Sequence, residues 1–146
     1  MKIAVACDHG ALALKNKLVA HLKELGHEVC DFGTHTAQSC DYPVFVGTAA
    51  KAVASGDCER GIVLCTTGIG VSIAATKVHC IRCALLHDLE SARLTRLHND
   101  TNMMALGAAV LEEDFALQLA DVWLSTDFSQ EERHKRRIAM VMDLEK

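Results

Sequence analysis

Proline is almost absent, with one residue in 146. Half of the residues are hydrophobic, and the two facts together exclude a disordered chain. Long apolar runs are also missing. At the start, MKIAVACDHG, only five apolar residues precede Asp8 and His9, too few for a secretory leader, and no later stretch could span a bilayer. No charge of one sign dominates: 15 basic against 19 acidic residues give −4, which exerts no overall pull on nucleic acid or on an anionic membrane. There is no repeat, linker or low-complexity segment. The expectation is a cytoplasmic protein of one domain over residues 1–146, large enough for a proper core.

Cysteine is plentiful, at seven: Cys7, Cys30, Cys40, Cys58, Cys65, Cys80 and Cys83. The count is odd and several lie in apolar runs, which fits reduced, buried small hydrophobes in a cytoplasmic chain. Cys80 and Cys83 form a lone C-x-x-C. Zinc would want a second ligand pair at suitable spacing, and none is evident; a redox pair would want a strand leading into a helix, whereas this one opens a strand. No metal is expected.

Apolar spacing predicts alternating elements. Strands are expected at Lys2–Cys7, His27–Phe32, Gly61–Cys65, Ile81–Leu86 and Met103–Leu106. Helices are expected at Ala11–Leu25, from Tyr42 to about Gly56, and at Gly68–Lys77, Asp88–Leu97, Glu112–Leu124 and Glu131–Leu144. Leu14, Leu18, Leu22 and Leu25 keep helical spacing, and Asp88 is placed to cap its helix. Five alternations predict a three-layer αβα sandwich: a five-stranded, parallel, doubly wound, Rossmann-like sheet. Ligands in such folds bind beyond the carboxyl ends of the strands, which directs attention to Asp8-His9, Gly33-Thr34, Cys65-Thr66-Thr67, His87-Asp88 and Gly107-Ala108.

"CTTGIG", residues 65–70, is the most informative of these. Cys65 ends an apolar strand, and Thr67-Gly68-Ile69-Gly70-Val71-Ser72 leads into a helix. Its glycines let the backbone approach a ligand while the first helical N–H groups point at it, which suits phosphate or an enolate-like oxyanion. The dinucleotide pattern G-x-G-x-x-G fails, because Ile73 takes the third position, and the Walker pattern is absent. A buried thiol beside a tight turn remains the structural alternative. Asp8 reads equally as a helix cap. His98, in His98-Asn99-Asp100, reads as a loop residue between helix and strand, or as a proton donor active near neutral pH. Arg133 and Arg137 are four apart on a helix and could clamp one phosphate, or simply belong to a solvated basic face.

Taken together, Asp8-His9, "DFGTHT", Asp41-Tyr42-Pro43, "ASGDCERGIVLCTTGIGVSIAATK", "IRCALLHD", "ARLTRLHNDTNMMALGA" and "RHKRR" resemble the type B ribose-5-phosphate isomerase family, which includes allose- and galactose-6-phosphate isomerases. The resemblance runs nearly end to end. It implies aldose–ketose interconversion of a sugar phosphate without metal or cofactor. It implies Cys65 as the base that moves a proton between C1 and C2, Thr67 as helper, and His98 as the group that opens the sugar ring. It puts Asp8 and Asn99 on substrate hydroxyls and His9, Arg133 and Arg137 on the phosphate. Backbone N–H groups of Gly68, Ile69, Gly70 and Ser72 would hold the oxyanion, with Thr66 and Tyr42 also against the substrate. It further implies a homodimer or a pair of dimers, the site shared between subunits and the C-terminal helix (about 131–144) packed on the partner.

The chemistry is sound on its own terms. A carbon acid beside a carbonyl needs a base held against it and donors aimed at the enediolate oxygen. A thiol becomes such a base where N–H groups or a helix N-terminus lower its pKa. Two departures from the family stand out. Ala109 replaces an arginine common after the "ALGA" block, and Gln130-Glu131-Glu132 replaces a glycine-favouring turn, so another phosphorylated or free aldose, such as allose 6-phosphate, is a second expectation. A non-catalytic sugar-phosphate or nucleotide binding subunit would keep the turn and the arginines without needing the thiol. A cysteine hydrolase using Cys65 and His98 has no acyl-enzyme signature behind it.

Overall fold

The computed structural model describes residues 1–146. Strand β1 is Lys2–Cys7, a 3-10 turn covers His9–Ala11, and helix α1 is Leu12–Glu24. There follow β2 (Glu28–Asp31), α2 (Tyr42–Ala54), β3 (Arg60–Cys65), α3 (Ile69–Thr76), β4 (Cys83–Leu85), α4 (Leu89–Asn99), β5 (Met103–Gly107), α5 (Glu113–Ser125) and α6 (Glu132–Asp143). All five strands are parallel, in the order β2-β1-β3-β5-β4. The expected doubly wound α/β sandwich is therefore the observed fold.

Side-chain alternation along the strands builds two cores. Ile3, Val5, Ile62, Leu64, Met104 and Leu106 face one layer with α1 and α5. Ala4, Ala6, Val63, Cys65, Met103 and Ala105 face the other, with α2 and α3. Successive residues of a strand point to opposite faces, so β1 and β3 after their first residues, Lys2 and Arg60, and all of β5 are apolar because each is covered on both sides. Trp123 of α5 is fully buried; its Nε1 donates to Thr101 Oγ1 at 3.0 Å and the Arg60 guanidinium lies over its ring.

Most boundaries shift by a residue, and two larger differences bear on the site. Strand β4 is only three residues long, because the Arg82 N–H is taken by Asn102 Oδ1 at 2.8 Å and the ladder to β5 begins at Cys83 opposite Met103. Helix α4 runs through His98 and Asn99 and stops at Asp100, which takes the left-handed conformation (φ +45°) of a helix cap. His98 is thus on the last helical turn, not in a loop.

The direction in which strands are added to the sheet reverses between β1 and β3. From β1 the chain crosses to β2 on one side, and from β3 it passes to the edge strand β4 and then back to β5 on the other. The carboxyl ends of these two strands flank the crevice where doubly wound sheets bind ligands. Asp8 follows one of them and Cys65 ends the other.

Candidate active site

Cys65 is only 6% exposed, yet it adjoins the exposed Thr66 and Thr67 at the carboxyl edge of the sheet. Its sulfur accepts the Gly68 N–H at 3.1 Å. Gly68 takes φ +78° as the residue before α3. The Ile69 N–H reaches Thr67 Oγ1 at 3.3 Å, and Ser72 is the first residue of α3 whose N–H is taken by a main-chain carbonyl, that of Gly68. The N–H groups of Gly70 and Val71 have no carbonyl within the helix to receive them and point out of its N-terminus. The Ser72 hydroxyl is turned back onto the Ile69 carbonyl at 2.7 Å. Tyr42, the first residue of α2, lies against this turn: a Cβ built on Gly70 would stand 2.7 Å from its ring.

Gly68 tolerates no side chain. A Cβ there would meet Leu85 Cδ1 at 2.5 Å and the backbone of β5 at 2.9 Å (Leu106 C) and 3.0 Å (Gly107 N). The leucine tip can yield, but the strand cannot. Gly68→Ala is expected to cost about 2–4 kcal/mol through left-handed strain and overpacking, read as a lowered urea midpoint.

Asp8 is 8% exposed, and its carboxylate accepts the Gly10 N–H at 2.9 Å, so it does cap the 3-10 turn, as its sequence position allows. His9 is exposed beside it. Its Nδ1 accepts the Cys40 N–H at 3.2 Å, which leaves Nε2–H as the outward donor. Thr66 shares the edge; its carbonyl accepts the N–H of the exposed Ala109 at 2.9 Å.

His98, Asn99 and Arg137 lie elsewhere. Together with Arg82, His134 and Met142 they line a cleft of ≈ 490 Å³ between the end of α4, helix α6 and the approach to β4. Helices α3 and α4 run antiparallel to the strands, so their carboxyl ends reach the amino edge of the sheet. The Cys65 turn and the His98 cleft therefore lie at opposite edges of the sheet within one chain, separated by about the length of β5, roughly 13 Å. Arg133 is exposed and paired with Glu131 at 2.8 Å, and it does not line the cleft. Gln130 takes φ +62° just before α6, in the left-handed region where glycine is easiest.

The sequence reading missed His134. It is 6% exposed, its ring stacks on His98 with centroids 4.4 Å apart and 16° between planes, and its Nε2 is buried without a partner. Its signal was the helical spacing His134, Arg137, Ile138, Val141, one face of α6 that lines the cleft. Burial, then the neighbouring His98 and Arg133, holds its pKa below the usual imidazole value. An imidazole depressed in the folded state binds fewer protons there than in the unfolded chain. Stability then rises with pH up to about 6.5 and is lost on acidification below it. His134→Phe, which keeps a ring on His98, should show a smaller drop in urea midpoint between neutral and mildly acidic pH than the unchanged chain. Equal drops would exclude His134 as a contributor.

A doubly wound sheet whose switch point holds a hydrogen-bonded thiol, a carboxylate and an open helix N-terminus has the layout of a small-molecule binding site. Comparison with known proteins gives the family. Residues 3–141 match the Ribose/Galactose Isomerase family model. The chain is 42% identical over 144 residues to "Ribose-5-phosphate isomerase B" of Escherichia coli (strain K12), covering 99% of this chain and 96% of that one. It is 34% identical to "Galactose-6-phosphate isomerase subunit LacB" of Clostridium acetobutylicum, covering 99% of this chain and 83% of that one. The solved ribose-5-phosphate isomerase B of Clostridium thermocellum superposes with a TM-score of 0.97 at 47% identity, covering 99% of this chain and 97% of that one. The chain belongs to the Ribose/Galactose Isomerase family and is an enzyme of the aldose–ketose isomerase class. No helix is long and apolar enough to cross a membrane.

Proposed function

We propose that the chain interconverts ribose 5-phosphate and ribulose 5-phosphate through an enediolate, at a site completed by a second copy of the chain. The observation that carries this is the 65–72 turn, which supplies a sulfur held by the Gly68 N–H and, one turn on, the outward N–H groups of α3. Base and oxyanion donors thus sit on one rigid segment, the pairing that carbon-acid chemistry needs.

The steps follow from this placement. His98 of the second copy opens the furanose by passing a proton from the anomeric hydroxyl to the ring oxygen. The Cys65 thiolate takes the C2 proton; the electron pair moves onto the carbonyl, and the oxyanion is held by the Gly68–Ser72 turn. Thr67 assists proton movement between the two oxygens. Cys65 returns its proton to C1, giving the ketose with no net change in protons or electrons. Asp8 and the second copy's Asn99 hold hydroxyls. His9, through Nε2–H, and the second copy's Arg133 and Arg137 hold the phosphate, while Tyr42 and Thr66 bound the pocket. No cofactor is assigned a step.

Sharing between copies is supported by the separation of the two half-sites within one chain, and by α6. That helix exposes apolar Met140 (64%) and Val141, and Leu144 just beyond it is 85% exposed, a face suited to a partner in a dimer or tetramer. Ala109 favours a second reading. With no arginine beside the Thr66 carbonyl, the phosphate grip is one charge short of the family pattern, which shifts preference toward another aldose phosphate such as allose 6-phosphate.

The test is a panel of pentose and hexose phosphates, with the free sugars alongside, incubated in deuterated water. Deuterium entering C2 of ribose 5-phosphate or C1 of ribulose 5-phosphate, together with ketose formation, is the expected result. Binding of these sugars without exchange would instead define a non-catalytic subunit.

A further inference from the structure

The C-x-x-C of the sequence does not survive as a pair. Cys83 opens β4, and burial pushes its thiol up to about 12. Cys80 is exposed, and the fold gives it different neighbours: His79 before it and Glu145, 65 residues on, just past α6. The Cys80 N–H donates to both Glu145 oxygens, at 3.1 and 3.0 Å, and His79 Nδ1 lies 2.9 Å from Glu145 Oε2. The Cys80 carbonyl is fixed by Asn102 Nδ2 at 2.9 Å, and Asn102 Oδ1 holds the Arg82 N–H. The His79-Cys80 dipeptide is therefore presented by a pinned loop.

We propose that His79 Nδ1, Cys80 Sγ and the Glu145 carboxylate form a binding site for a zinc-class divalent cation, with water in the fourth position. The three donor atoms lie within 4.8 Å of one another. Tetrahedral zinc with bonds of about 2.0–2.3 Å asks for donors roughly 3.3–3.8 Å apart, a closure that side-chain rotation supplies. Thiolate, imidazole and carboxylate together form a donor set that zinc and cobalt favour over magnesium or calcium. On binding, the Cys80 S–H bond breaks, its proton goes to solvent, and the sulfur–metal bond forms, while His79 binds as the neutral ring. One Glu145 oxygen takes the metal and the other keeps the Cys80 N–H. The site is independent of the isomerase chemistry. Its consequence is mechanical: it ties the loop before β4 to the end of α6, the helix that carries Arg133 and Arg137. The other exposed thiol–imidazole pair, Cys40 with His9 at 3.8 Å, is the natural rival.

Cobalt(II) titration of the full chain, reduced with a non-thiol phosphine, decides between them. The expected result is sulfur-to-cobalt charge-transfer absorption saturating at one ion per chain. It should be lost in Cys80→Ser, weakened at least about tenfold in Glu145→Gln, and kept in Cys40→Ser and Cys65→Ser. Zinc should raise the thermal midpoint of the unchanged chain but not of Cys80→Ser. The proposal is overturned if no such band forms at large cobalt excess, if it persists in Cys80→Ser, or if it disappears in Cys40→Ser or Cys65→Ser.

Discussion

Cys65→Ala is expected to lower kcat for the preferred aldose phosphate by about 10²–10⁴-fold, with a far smaller change in KM and with the fold retained. The size follows from removing the group proposed to take the proton from carbon. At a thousandfold loss the barrier rises by about 4 kcal/mol. The fold survives because the change removes one sulfur from the rim of the second core and leaves Val63, Ala105 and the β3–β5 ladder in place. Cys65→Ser is the sharper variant. Its hydroxyl can still accept the Gly68 N–H that the sulfur accepts at 3.1 Å, so the turn keeps its shape, but a hydroxyl is a far weaker source of base. Equal losses in the two variants, with unchanged melting, would separate the chemical role of sulfur from its packing role. Near-normal turnover in folded Cys65→Ala would remove Cys65 as the base.

The carboxyl-edge half of this site was legible because local sequence fixes it. The run Gly61–Cys65 followed by Thr-Thr-Gly-Ile-Gly reads as a strand entering a helix through a glycine turn, and Gly68 takes φ +78° there. Asp88 was equally plain: it caps α4 by accepting the Ser91 N–H at 2.7 Å. The other half was harder to read. His98-Asn99-Asp100 has the composition of a loop, yet the helix continues to Asn99 and Asp100 supplies its left-handed end, a conformation Asp tolerates better than most residues. His134 was hidden among arginines: helical spacing places it on one face of α6 with Arg137, Ile138 and Val141, but its burial depends on α6 folding against the end of α4. Nor does alternation reveal strand order. That β5 lies inside β4 depends on which apolar strand can be covered on both faces: β5 is buried throughout, while β4 is only half-buried.

Cys65→Ala and His98→Asn, each nearly inactive alone, should together recover roughly one quarter of the unchanged rate when refolded as an equimolar mixture. The figure follows from two-fold symmetry. Random pairing makes half of the dimers mixed, and each mixed dimer has one site that draws Cys65 and His98 from unaltered positions and one site that lacks both. Within a single chain the two residues stand at opposite edges of the sheet, so a site confined to one chain could not be restored by mixing. His98→Asn also removes the ring that stacks on His134 at 4.4 Å, so its melting must be followed alongside activity to separate loss of the proton donor from loosening of α6. Mixed dimers demonstrated by differential tagging, yet without recovered turnover, would place the whole reaction within one chain and remove the shared site. Recovery near a quarter requires instead that the sulfur at the end of β3 meets an imidazole carried by its neighbour.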